Sequence, residues 1–173
     1  MKILPYDNLT YKTHLSKEEI AKRLNEVTEP KKMIRMTGVF SNKNHKEYEG
    51  AVDTNSFKIS RIIGYRNSFL PRIEGEIEES KESTLVHIKM RLHTFVLVFM
   101  GIWLTIVGLV AIAVLSSLFL SESNIGFGVF IPCFMFLVGL LMPILAFHYE
   151  GNKSKEFFEN LFEVGKQLSD KKI

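Results

Sequence analysis

The stretch FVLVFMGIWLTIVGLVAIAVLSSLFL, residues 95–120, contains no charged residue, and neither does IGFGVFIPCFMFLVGLLMPILAF, residues 125–147. A helix needs about 20 apolar residues to cross a hydrocarbon core of roughly 30 Å, and both runs exceed that. Seventeen residues of the first run are Leu, Ile, Val or Phe. At about −0.3 to −0.6 kcal/mol each, its transfer into a bilayer is favourable by roughly 5–10 kcal/mol. Only Ser121-Glu122-Ser123-Asn124 separates the runs, so the spacing predicts a transmembrane helical hairpin.

The flanks are of opposite character. Of 173 residues, 46% are hydrophobic and 24% charged, and the two kinds are segregated along the chain. The part up to His93 carries seventeen Lys and Arg against thirteen Asp and Glu, while the segment after Phe147 sums to zero. A net +3 is too small a surplus for a nucleic-acid binder and is compatible with an anionic leaflet. The single cysteine, Cys133, excludes an intramolecular disulfide. Met1 to Ile20 has Pro5, Asp7 and several lysines and no apolar core, so it is not a secretory signal, and the first apolar run serves for targeting. Lys81, Lys89 and Arg91 precede the hairpin, Lys153 and Lys155 follow it, and the connector has no Lys or Arg. This asymmetry predicts a multi-pass protein of the cell inner membrane with both termini cytoplasmic.

Three units follow: an α+β domain over 1–93, the hairpin over 94–148 with helices at 95–120 and 125–147, and an amphipathic helix in 149–173. Leu9 to His14 alternates as a strand does. Ser16 and Glu19 form a capping box, with Leu15 and Ile20 at staple spacing, and Ile20, Ala21, Leu24 and Val27 make one helical stripe that Pro30 terminates. From Met33 the period becomes two, with strands expected at Met33–Phe40, Glu47–Asp53, Phe57–Tyr65, Pro71–Glu79 and Thr84–Leu92 in an antiparallel meander. Phe57, Ile59 and Ile63 share a face, as do Ile73 and Ile77, and Val86, Ile88 and Met90. On the opposite face Glu74, Glu76 and Glu78 stand against His87, Lys89 and Arg91, which predicts cross-strand ion pairs. Lys155 to Leu168 returns to a helical period, with Phe157, Phe158, Leu161 and Phe162 on one side to close over the sheet.

The fold class is therefore α+β: an antiparallel meander with an N-terminal helix and a C-terminal amphipathic helix, the transmembrane hairpin inserted before the last helix. This element order resembles the helix-grip folds, which cradle apolar ligands, though one short helix follows the first strand here and not two. The run Phe57-Lys58-Ile59-Ser60-Arg61-Ile62-Ile63-Gly64-Tyr65-Arg66-Asn67-Ser68-Phe69-Leu70-Pro71, with Met90-Arg91-Leu92-His93, resembles segments of uncharacterised two-helix bacterial membrane proteins over about residues 50 to 105. That resemblance implies a membrane setting and carries no activity.

Arg61, Arg66 and Arg72 surround a hairpin tip, with Lys89 and Arg91 on the last strand. Forked guanidinium hydrogen bonds suit these residues to a lipid phosphate or another anionic ligand, against the ordinary reading of a solvated strand face. His93 and His148 fall at the mouths of the two helices and His87 on the strand before. Convergent imidazoles could hold a transition metal, but the spacing matches no ligand motif and interfacial anchoring is the ordinary explanation, so no metal is expected. Gly101, Thr105 and Gly108 put small surfaces on one side of the first helix for close helix contact, within the hairpin or in a homodimer. No ionisable group lies at depth in either run, which argues against an ion path. A phosphate loop, a CxxC pair, a nucleophile elbow and HExxH are all lacking, so no cofactor is expected. The expectation is a non-enzymatic membrane protein whose cytoplasmic domain binds a partner protein or anionic lipid, with a helix-grip-like cradle for an apolar ligand or lipid as the alternative.

Overall fold

The computed structural model describes residues 4–31, 46–65, 67–120, 128 and 130–164. In chain order these form β1 (Tyr6–Thr13), α1 (Lys17–Val27), β2 (Thr28–Glu29), β3 (Tyr48–Val52), β4 (Ser56–Arg61), β5 (Arg72–Glu79), β6 (Thr84–Arg91), α2 (Thr94–Leu120) and α3 (Phe130–Leu161). They make a mixed α+β chain with one six-stranded sheet and two long apolar helices. The strand expected at Met33–Phe40 lies outside the described residues, as does the Ser121–Asn124 connector.

The sheet order is β1-β6-β5-β4-β3-β2. β3 to β6 form the antiparallel meander that the turn residues demand, and β1 adds antiparallel beside β6, with Tyr6 opposite Arg91 and Thr13 opposite Thr84. α1 carries the chain from this edge to the other, where β2 pairs in parallel with β3 over two residues. The Ser16 hydroxyl accepts from the Glu19 N–H at 3.3 Å, which makes half of the capping box. The other half is not made: the Glu19 carboxylate accepts from Arg23 Nε at 3.0 Å, an i,i+4 pair on the helix surface. α1 stops at Val27 because Glu29 precedes a proline and is held extended.

Period-two alternation puts Asp7, Tyr11, Phe57, Ile59, Ile73, Ile77, Val86, Ile88 and Met90 on one face, all buried. That face is covered by Ile20 and Leu24 of α1 and by Phe158 and Phe162, each at 0% exposure. Phe158 is the centre of the packing, with ring centroids 5.5 Å from Phe162, 6.0 Å from Tyr48 and 6.1 Å from Phe57. Two glycines let the sheet close. Gly50 sits at φ +152°, where a β-carbon would stand 2.1 Å from the Lys58 carbonyl oxygen, so only glycine fits. Gly75 lies opposite Phe57, whose ring occupies the space its side chain would fill: a β-carbon would lie 2.1 Å from the ring. Gly75→Ala must push Phe57 out of the core, and overpacking of this kind should destabilise the domain by about 2–3 kcal/mol, read as a lower urea midpoint at unchanged m-value.

The terminal amphipathic helix is not a separate element. α3 runs without a break from Phe130 to Leu161, so the helix expected at 125–147 and the one expected from Lys155 are one, about 48 Å long. His148 to Lys155 looks like a linker only because it is polar. It contains no proline, its weakest helix former is Gly151 at about 1 kcal/mol, and its carboxylate finds partners without leaving the helix. Pro132 falls in the first turn and removes no helix hydrogen bond, and Pro143 lies inside the helix. One seam in steps of three and four residues serves both halves: Pro132, Phe136 and Gly139 are half-buried, then Pro143, Phe147, Glu150, Ser154 and Phe158 are buried.

The upper part of this seam meets α2. The Phe136 ring is so near Gly108 that a β-carbon there would lie 3.2 Å away, and one on Gly139 would lie 3.3 Å from Trp103 Nε1. Gly101 has nothing within 4 Å, and the Thr105 hydroxyl donates to the Gly101 carbonyl at 2.8 Å. Of the small-residue face on α2, only Gly108 is therefore used within the hairpin. Both helices are long and apolar enough to span a membrane, with mean hydropathy of 2.7 and 2.5 over their best windows. Phe95, Ile112 and Phe134 are at least 65% exposed. An uncovered apolar surface of this extent calls for an apolar surrounding.

Candidate functional site

β6 ends at Arg91 and α2 begins at Thr94, so one end of the sheet is tied directly to the apolar helices. The basic residues gather at that end but on two faces. On the open face Arg72 and Arg91 are Cα partners on neighbouring strands. Arg91 Nη2 donates to both oxygens of Glu74, at 2.9 and 2.8 Å. Lys89 reaches Glu76 at 3.6 Å, and His87 reaches Glu78 at 3.7 Å. The expected acidic and basic rows do pair, but across β5 and β6 each carboxylate takes the diagonal partner and not the residue directly opposite, because sheet twist brings the diagonal position nearer, while on the other side Glu74 lies 3.9 Å from Lys58, its opposite on β4. The Arg91 hydrogen bond holds the Glu74 carboxyl below the usual carboxylate range. Arg72 is exposed and has no ion-pair partner among the described residues. A hollow of about 430 Å³ opens beside it, lined by Lys31, Glu49, Lys58 and Ser60 among others.

Arg61 belongs to the other face. It shares the parity of Phe57 and Ile59, so it points to the helix-covered side, where Arg61 Nη1 donates to Glu150 Oε2 at 2.8 Å. Glu150 is 0% exposed. The Tyr65 hydroxyl donates to its other oxygen, and Lys153 Nζ lies 3.8 Å from that oxygen and 4.1 Å over the Tyr149 ring. The hydrogen bond to Glu150 raises the Tyr65 pKa above the ordinary phenol value. Nearby, Ser154 donates to the Glu150 carbonyl at 3.2 Å, and the buried Tyr48 hydroxyl has no hydrogen-bond partner among the described residues. A second buried acid, Asp7, is held by Lys155 at 2.5 Å. Arg66 lies outside the described residues.

None of these acids was singled out by pattern. Glu150 and Tyr65 are not legible because the partners on Glu150 are 85 to 89 residues away, and Lys153, three residues from Glu150, gains its meaning only once that carboxylate is seen to be buried. One signal was present: a charged residue on an apolar strand face requires a partner, and Arg61 is such a residue.

The histidines go to separate neighbours. His87 Nδ1 is 3.0 Å from the Thr10 hydroxyl. His93 Nδ1 accepts from the Phe95 N–H at 3.1 Å and so caps α2. The His148 ring packs edge-on to Phe147. Among the described residues no group of three His, Cys, Asp or Glu could hold a metal ion.

Burial pushes the Tyr48 hydroxyl up to about 12 from 10.0 and raises Tyr11 as well. Between pH 10 and 12 the unfolded chain releases a tyrosine proton that the folded chain keeps, so stability falls as pH rises, by about 1.4 kcal/mol per pH unit for each such group. Alkaline unfolding should therefore set in above pH 10. Tyr48→Phe should raise stability near neutral pH by about 1 kcal/mol, since it removes a buried hydroxyl that has no partner among the described residues, and should flatten the alkaline loss.

No protein-family model matches the chain, and it matches no curated protein and no solved structure.

Proposed function

We propose that the chain is a non-enzymatic, multi-pass protein of the inner membrane, with both termini cytoplasmic, whose sheet domain binds anionic lipid at the bilayer surface. The observation that carries this is the position of Arg72 and Arg91. They stand side by side at the end of the sheet, and Arg91 precedes the first residue of α2 by three positions. With α2 across the bilayer, this edge stays at headgroup level, where each basic residue contributes about 1 kcal/mol of attraction to anionic lipid. Exposed aromatic residues at the same end, Tyr6, Tyr65 and Tyr149, suit an interface of this kind.

The apolar cradle is the weaker reading. The face that would hold its ligand is filled: Phe57, Ile59, Ile77, Ile88, Phe158 and Phe162 are each at most 4% exposed.

Hydrogen exchange on the full-length protein tests the proposal, in nanodiscs of phosphatidylcholine with and without phosphatidylglycerol. Exchange at Arg72–Glu74 and Met90–Arg91 should slow in the anionic discs, and Arg72→Gln should reduce the difference. Equal exchange in the two lipids would remove the lipid reading and leave a partner protein as the occupant of this edge.

A further inference from the structure

We infer that Arg61 and Lys153 form a discrete phosphate site at the cytoplasmic mouth of α3, built on the buried Glu150, which Tyr65 also holds, and occupied by the phosphodiester of one anionic phospholipid. The inference rests on the membrane reading above and uses a different set of residues from the Arg72–Arg91 edge.

Depth comes first. α3 starts at Phe130 and its apolar run ends at Phe147, about 26 Å along the axis, close to the thickness of a hydrocarbon core. Glu150 lies about 4.5 Å further and Lys153 one turn beyond that, within the headgroup layer.

Glu150 itself has no standing as a stabiliser. Removing a carboxylate from water costs several kcal/mol, and a buried ion pair seldom does better than an apolar pair of the same shape. What the buried carboxylate achieves is placement. Its two oxygens hold a guanidinium at 2.8 Å, a phenol hydroxyl and an ammonium at 3.8 Å. The carboxylate is enclosed, whereas the side chains that it holds are at the rim: 30% of Arg61 and 39% of Lys153 remain exposed. Arg61 uses only Nη1 here, so Nε and Nη2 have no partner among the described residues, and they are the edge of the guanidinium that forks onto a phosphate. Lys153 is fixed a second time by the Tyr149 ring, at 4.1 Å. Two cations over one carboxylate leave a net positive charge. The donors are already in position before any ligand arrives, which lowers the ordering cost of binding.

Native mass spectrometry of the detergent-purified full chain, given phosphatidylglycerol as the probe, tests the site. Arg61→Gln alone would take from the buried Glu150 its 2.8 Å cation, so the arginine is tested in the double variant Arg61→Gln/Glu150→Gln, which keeps the shape and removes both charges. Wild type should retain one phosphatidylglycerol, and Lys153→Gln should retain it roughly fivefold less well, the weight of one basic residue at an anionic surface. The double variant should lose at least as much, and Lys81→Gln, an exposed residue beyond the far end of β5, should match wild type. Retention unchanged in both Lys153→Gln and the double variant would overturn the site, even if Arg72→Gln weakened retention and so left the edge reading standing. Millimolar inorganic phosphate should not displace the lipid; displacement would overturn the lipid as occupant in favour of a free phosphate.

Discussion

Phe158→Ala should destabilise the domain by about 3–5 kcal/mol, most of the stability that a domain of this size has. The ring is 0% exposed and lies against Tyr48, Phe57, Phe157 and Phe162. Its neighbours are held from three directions by sheet, α1 and the rest of α3, so the space cannot collapse. The effect should be confined to the domain. α2 and the part of α3 that meets it, near Phe136 and Gly139, share no contact with Phe158, so urea should abolish the near-ultraviolet signal of the sheet while the helical signal of the hairpin persists in micelles. A single concerted loss of both would show that hairpin and domain unfold as one unit.

Arg61→Leu should cost as much by a different route. It leaves Glu150 fully buried with only a phenol hydroxyl and a lysine 3.8 Å away, and an uncompensated buried charge costs about 3–5 kcal/mol. Pairing it with Glu150→Leu should recover most of the loss, because the expense lies in the stranded carboxylate and not in the missing attraction. Equilibrium unfolding of the two single variants and the double variant gives the coupling directly. A double variant no better than Arg61→Leu would mean that the arginine acts through packing of its methylene stem.

These two positions also mark where the sequence could be read and where it could not. Phe158 was legible as a member of an amphipathic stripe, and the strands from Tyr48 to Arg91 were legible from their alternation and their turns, down to the opposition of Glu74, Glu76 and Glu78 to the basic row on β6. Those signals are local or span one turn. The position of β1 beside β6 was not legible, since period two says that a strand exists and nothing about which edge it joins. The continuity of α3 was hidden by its own polar stretch: His148-Tyr149-Glu150-Gly151-Asn152 has the composition of a linker, and the partners waiting on β4 and after it are what let Glu150 be helical and buried. Arg61 could be placed on the apolar face from the sequence, but its partner sits on another element, and no periodicity connects them.

The account turns on which end of the sheet faces the bilayer. With Cys133 replaced by serine, single cysteines at Asn67 and at Lys81 can carry a spin label in nanodiscs. β5 between them spans eight residues, so the two labels differ in height by about 25 Å if the strands stand along the membrane normal. Depth measured by collision with a headgroup-attached relaxation agent should place the label at Asn67 within the headgroup layer and the label at Lys81 in bulk water. Equal accessibility of both labels to the aqueous reagent, or contact of Lys81 with the headgroup reagent, would contradict the account.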